Sequence, residues 1–233
     1  MTLQQVLERL QALSDPEKVV IKKKMFGINA RNSLGIYHKD LKNIAKEIGC
    51  DNHLALALFE TGIYEAKILC SKIYDPEQIS AEQMNQWVAT FENWEICDSF
   101  CMGFFAKSKY GIAKAFEWSE NENEFIKRAG FVIMAAYGFA DKTARNEIFE
   151  SFFPVIEREA CDDRVYVKKA VNWALRNVGK RNVDLNVMAI ATANRILATE
   201  RTSANWIARN AISELEKVDV NLLDYPRSIY RNS

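Results

Sequence analysis

The sequence predicts an all-α protein: a HEAT-like helical-repeat solenoid, curved, with a concave basic groove. Three observations predict it. Apolar residues recur at spacings of three and four along nearly all of the 233 residues, as they do in helices that each bury one face. No segment alternates apolar and polar residues as a half-buried strand does. An aromatic–apolar–any–basic signature also repeats, at Phe125-Ile126-Lys127-Arg128, Tyr166-Val167-Lys168-Lys169 and Trp206-Ile207-Ala208-Arg209, with spacings of 41 and 40 residues. Roughly forty residues is the period of two-helix HEAT repeats, which stack so that one helix of each pair lines the concave face. Tyr64-Glu65-Ala66-Lys67 reads as an earlier copy, while Trp94-Glu95-Ile96-Cys97 keeps the aromatic residue and lacks the base.

The periodicity places helices over 2–13, 15–24, 38–48, 51–60, 64–74, 80–90, 94–106, 110–118, 122–138, 143–159, 163–178, 182–198 and 202–217. Local signals mark their ends. Asp15-Pro16 starts the second helix, with proline in its first turn, where the missing N–H costs nothing. Phe26 to Gly35 (FGINARNSLG) is the clearest loop. Gly49 follows LKNIAKEI as a C-terminal cap. Asp75-Pro76 closes another segment, and Asp162-Asp163 suits a helix N-terminus. We read the whole chain, 1–233, as a single repeat domain with 220–233 as a flexible tail.

Composition narrows the function classes. Apolar residues make up 48% of the chain, and glycine and proline number only 9 and 4, which argues against a disordered or linker-rich chain. Lys + Arg and Asp + Glu both total 31, so a globally basic nucleic-acid binder is excluded and a locally basic one is not. From residue 18 to 39 there are six basic residues and no acid, and from 164 to 181 again six and none. Five cysteines without paired spacing read as reduced thiols of a cytoplasmic protein. The longest apolar run, residues 131–140, is too short to span a bilayer. Two histidines and no CxxC argue against a built-in metal site, and no cofactor is expected.

Trp94 and Asp98 are four apart, hence one turn apart on one helix face. Trp173 and Arg176 are three apart and share a face with Lys169, while Arg128, Lys169 and Arg209 occupy equivalent repeat positions. A carboxylate on a surface that binds a polyanion weakens binding. Asp98 in that position points to chemistry: stabilising a transient cation or orienting a water. On spacing alone, the plainer reading is an aspartate balancing a helix dipole and core tryptophans.

NWEICD (93–98), IKRAGFV (126–132) and KKAVNWALRNVGK (168–180) resemble motifs of the DNA alkylation repair family, the AlkD-like alkylpurine DNA glycosylases. LGIYHKDLKNIAKEIG (34–49) and ANWIARNAI (204–212) do so as well, and the resemblance runs from about residue 20 to 217. It implies a monomeric enzyme of base-excision repair that removes N3- or N7-alkylated purines from double-stranded DNA, without metal or cofactor. It implies catalytic roles for Asp98, Trp94 and Trp173, and DNA contacts from Arg128 and Arg176, with Lys169 and Arg209 on the same basic wall. Glu95 stands where the family more often has aspartate, and Lys39 and Lys42 stand where proline and arginine are common. Lys42 keeps the charge without the bidentate fork. The rival readings are a non-catalytic DNA-binding repeat protein and a protein-binding scaffold.

Overall fold

The structure, a computed structural model, describes residues 1–217; the segment read as a tail, 220–233, lies outside the described residues. Among the described residues there are fourteen α-helices and no strand. They fall into two compact units, Met1–Lys109 and the described residues from Tyr110 onward.

The first unit contains α1 (Leu3–Ala12), α2 (Pro16–Phe26), α3 (His38–Ile48), α4 (Asn52–Glu60), α5 (Tyr64–Ile73), α6 (Ala81–Val88), α7 (Trp94–Gly103) and a 3-10 turn, Phe105–Lys107. Side-chain caps set most starts: Thr2 and Gln5 form a reciprocal capping box on α1, and Asp15, Asp51, Ser80 and Asn93 cap α2, α4, α6 and α7. Each satisfies backbone N–H groups that a helix N-terminus otherwise leaves unpaired. Gly27 ends α2 in the left-handed region at φ 65°. α3, α5 and α7 pack side by side in sequence, with α4 against α5. The core is aromatic: Phe59 stacks on Trp87 at 4.9 Å between ring centres, and Phe100 meets Phe91, Trp87, Phe104 and Phe105 at 5.1–6.2 Å. α7 ends at Gly103, three residues short of the expected 106, because Phe104 leaves helical geometry (φ −130°, ψ −69°) to enter this core.

The second unit contains α8 (Gly111–Ser119), α9 (Glu124–Ala140), α10 (Asn146–Glu150), α11 (Phe152–Glu159), α12 (Val165–Gly179), α13 (Val183–Leu197) and α14 (Thr202–Leu215). α9, α12 and α14 form one layer, and α8, α11 and α13 pack behind them. This is the two-layer pairing that the forty-residue period predicts. The expected single helix over 143–159 is two. Pro154 has no N–H for the Glu150 carbonyl and its ring crowds that position, so α10 stops at Glu150 and α11 begins at Phe152. Asp162 accepts from the Arg164 backbone N–H at 3.0 Å instead of capping α12 itself.

Glycine allows the closest approach of α8 and α9. A Cβ on Gly130 would lie 2.7 Å from the Ala115 carbonyl oxygen and 2.7 Å from the Ser119 nitrogen. A Cβ on Gly179 would lie 2.7 Å from Ala189 Cβ and 2.9 Å from the Leu215 methyls.

Candidate nucleic-acid interface

α7 presents the Trp94–Asp98 pair in the first unit. Asn93 sets its start: its Oδ1 accepts from the N–H groups of Glu95 (3.0 Å) and Ile96 (3.2 Å). Trp94 and Asp98 then sit one turn apart, both half-buried. Trp94 is held in place as well, since its Nε1–H donates to the Phe26 carbonyl at 2.9 Å, tying the indole to the last turn of α2.

Glu95, between them in sequence, points the other way, into the protein. Lys22 Nζ lies 3.1 and 3.2 Å from its two oxygens and donates to the Ile36 carbonyl at 3.1 Å. His38 Nε2 lies 3.3 Å from Oε1, and the Tyr64 hydroxyl is 3.0 Å from Oε2 and 2.9 Å from Asn93 Oδ1. Burial pushes the Glu95 carboxyl up, but His38 and the Lys22 ammonium outweigh it and hold it below the usual carboxylate range. Burial first, then Glu95, pushes the Tyr64 phenol upward, so it stays a donor. One carboxylate thus fastens α2, α3 and α5 to the start of α7.

A second buried carboxylate clamps the loop before α3. Glu65 is fully buried and accepts from the Ser33 hydroxyl (2.7 Å) and from the N–H groups of Leu34 (2.7 Å), Gly35 (2.9 Å) and Ile36 (3.3 Å). The segment the sequence marks as a loop is therefore anchored along its second half. Nothing in local spacing finds this: Lys22 and Glu95 are 73 residues apart, and Gly35 and Glu65 are 30 apart. The one hint is Glu95 itself, the residue at which NWEICD departs from the family pattern.

In the second unit, α12 carries Lys169, Trp173 and Arg176 on one face, with Lys169 exposed and the other two half-buried. Most of the rest of KKAVNWALRNVGK is inter-helix fastening. Asn172 donates to the Ile207 carbonyl (3.1 Å) and Asn177 to the Ala135 carbonyl (3.0 Å). The motif is thus distinctive largely because it packs on both neighbours. Arg176 pairs with Glu214, which also takes Lys180 at 2.6 Å. Burial raises the Glu214 carboxyl, and these two cations overcome it and hold it low. Arg176 Nε is buried with no hydrogen-bond partner among the described residues.

The three equivalent basic positions separate. Lys169 and Arg209 are exposed, whereas Arg128 is 5% exposed and donates to the Tyr166 carbonyl at 2.8 Å. Two of the aromatic residues before them, Phe125 and Tyr166, lie 5.5 Å apart, and Lys168 sits 5.4 Å from the Trp206 ring centre. The basic runs are much less exposed than their lengths imply. Lys22 is buried on Glu95, Arg164 pairs with Asp162, and Arg181 is buried and donates to the carbonyls of Gly138, Lys142 and Ala144.

Among the described residues no group of three or more His, Cys, Asp or Glu could hold a metal ion. No helix there is long and apolar enough to cross a membrane.

Residues 6–215 match the family model described as DNA alkylation repair enzyme. Among solved structures, the chain is similar to a protein described within "a new family of proteins related to the HEAT-like repeat DNA glycosylases with affinity for branched DNA structures". The TM-score is 0.70 at 21% identity, covering 84% of this chain and 83% of that one. None of the curated proteins matches the chain.

Proposed function

The chain belongs to the DNA alkylation repair enzyme family, and from that premise we propose that it hydrolyses the N-glycosidic bond of N3- and N7-alkylated purines in double-stranded DNA. The observation that carries this reading is the Trp94–Asp98 pair. Its two side chains share one face of α7, and Trp94 is fixed from outside by the Phe26 carbonyl. Alkylation at N3 or N7 makes the purine cationic, so it departs with its bonding electrons as a neutral base. The sugar left behind develops oxocarbenium character, as in glycoside hydrolysis. Asp98 stabilises that cation and orients the water that adds to the sugar carbon, the water's proton passing to solvent. Trp94 offers an aromatic face to the cationic nucleotide. Trp173, in the second unit, acts in the same aromatic capacity.

Lys169, Arg176 and Arg209 are proposed for the phosphates, and Arg128, buried on the neighbouring α9, contributes charge and holds Tyr166. Such contacts fix position and carry no sequence information. No step needs a metal or cofactor. The test is release of 7-methylguanine from methylated duplex DNA by wild type and Asp98→Asn. The expected result is loss of release with binding retained, and equal release by both removes Asp98 from the mechanism.

The second reading is a DNA-binding repeat protein without excision activity. It is favoured by the affinity for branched DNA stated for the similar solved protein. Wild-type protein that binds DNA in a steeply salt-dependent manner and frees no base establishes it instead.

A further inference from the structure

We infer that a lysine-lined cavity in the first unit is a phosphate subsite that takes a phosphodiester of the DNA backbone, apart from the Trp94–Asp98 pair. The inference rests on the reading of the chain as a DNA-binding member of its family. The cavity measures about 720 Å³ and lies among the C-terminal halves of α3, α5 and α7. That is within the roughly 300–1,000 Å³ of sites that hold a small-molecule ligand. Lys42 and Lys46 enter from α3, Lys72 from α5 and Lys107 from the 3-10 turn, and neither Trp94 nor Asp98 lines it.

These four ammonium groups, three of them exposed and Lys72 half-buried, converge on one cavity without a carboxylate partner of their own. Among the described residues none makes an ion pair or a hydrogen bond, whereas Lys18, Lys22, Lys114, Lys127 and Lys180 each hold a carboxylate. The one carboxylate lining the cavity, Asp75, is committed to its own turn, accepting from the Glu77 N–H and from Gln78 Nε2, both at 3.0 Å. The hydroxyls of Ser71 and Ser99 donate to the Ile68 and Glu95 carbonyls, so Asp75 supplies the one negative charge in the wall against four cations. Burial, and then the charge of Lys42, pushes the Lys72 ammonium below its usual range, with the Glu95 charge opposing them in part. An anion beside Lys42 and Lys72 offsets the repulsion between them.

The ends of the three helices account for part of the lysine placement, since each C-terminus carries about half a negative charge. Four positive charges exceed that and the single charge of Asp75 together. The excess favours a polyanion, and a phosphodiester suits lysine, which meets phosphate as a point charge without needing bidentate geometry.

The experiment is fluorescence anisotropy with an undamaged DNA duplex over a range of salt. It compares wild type, Lys42→Gln/Lys107→Gln, the single variant Lys72→Gln and a charge-matched control, Arg145→Gln/Lys217→Gln. The cavity variants are expected to bind several-fold more weakly. The slope of log affinity against log salt should shrink by about 0.9 for each phosphate no longer neutralised, with no fall in melting temperature. Unchanged affinity and slope overturn the subsite, as does an equal effect in the control. A lowered melting temperature in Lys72→Gln with normal DNA binding assigns these lysines to stability and overturns it too. Inorganic phosphate or a free nucleotide that stabilises wild type, while the variants bind duplex normally, overturns the phosphodiester in favour of a small anion. Binding is to undamaged DNA, so the two proposals fail separately. Wild type that binds but releases no base sinks the excision reading and leaves the subsite standing.

Discussion

Lys22 Nζ lies 3.1 Å from Glu95 Oε1, and both side chains are more than nine-tenths shielded from solvent. The pair joins α2, whose last carbonyl holds Trp94, to the first turn of α7, which carries Trp94 and Asp98. The geometry of the candidate catalytic pair therefore depends on an ion pair in which neither of its members takes part.

Removing one partner of a buried ion pair leaves an uncompensated charge, which costs about 3–5 kcal/mol, while replacing both by apolar groups often costs little. Lys22→Met and Glu95→Gln are each expected to destabilise the protein strongly in urea melts. The Lys22→Met/Glu95→Leu double variant is expected to recover much of the loss. Additive losses in the double variant would show that the two residues act independently.

The same pair sets a pH dependence. The Glu95 carboxyl is held below its ordinary 4.5 in the folded protein. Its contribution is complete above the unfolded value and is lost as pH falls through the lower, folded one. The stability gap between wild type and Glu95→Gln, measured by chemical denaturation, should therefore be full at pH 7. It should narrow below about pH 4.5, and a gap that stays constant to pH 3 contradicts this account.

On the proposed reading, Glu214 competes with DNA for Arg176. It holds Arg176 and Lys180 together while Arg176 Nε has no partner among the described residues. Glu214→Gln removes the carboxylate from Arg176 and Lys180 and is expected to tighten duplex binding a few-fold and steepen its salt dependence. Weaker binding in this variant would mean that Glu214 orients Arg176 toward DNA and does not withhold it.

Gly130 stands where α9 touches the backbone of α8. A methyl group there meets a carbonyl oxygen and an amide nitrogen at 2.7 Å, neither of which can rotate away. Gly130→Ala is expected to cost about 1–3 kcal/mol by overpacking. Gly103→Ala, where nothing lies within 4 Å, should be neutral or slightly stabilising. Thermal melts of the two variants, run together, check the contrast.

Periodicity and local caps carry most of the helical fold, because both act within one or two turns: Asp15, Gly49 and Asn93 do their work on backbone groups at most four residues away. The same locality explains the one helix misjudged in number, where Pro154 acts on a single carbonyl and the apolar pattern continues past it unchanged. Face-sharing is also local, so the pairing of Trp94 with Asp98 and of Lys169 with Trp173 and Arg176 is legible in the sequence. Which charges reach solvent is not. A run of basic residues reads the same whether its members lie open, as Lys169 does, or are consumed inside, as Lys22, Arg128 and Arg181 are. Only the tertiary structure decides that, because the main partners of these buried charges come from segments 37 to 73 residues away and their energy depends on the partners being close enough to repay the water lost.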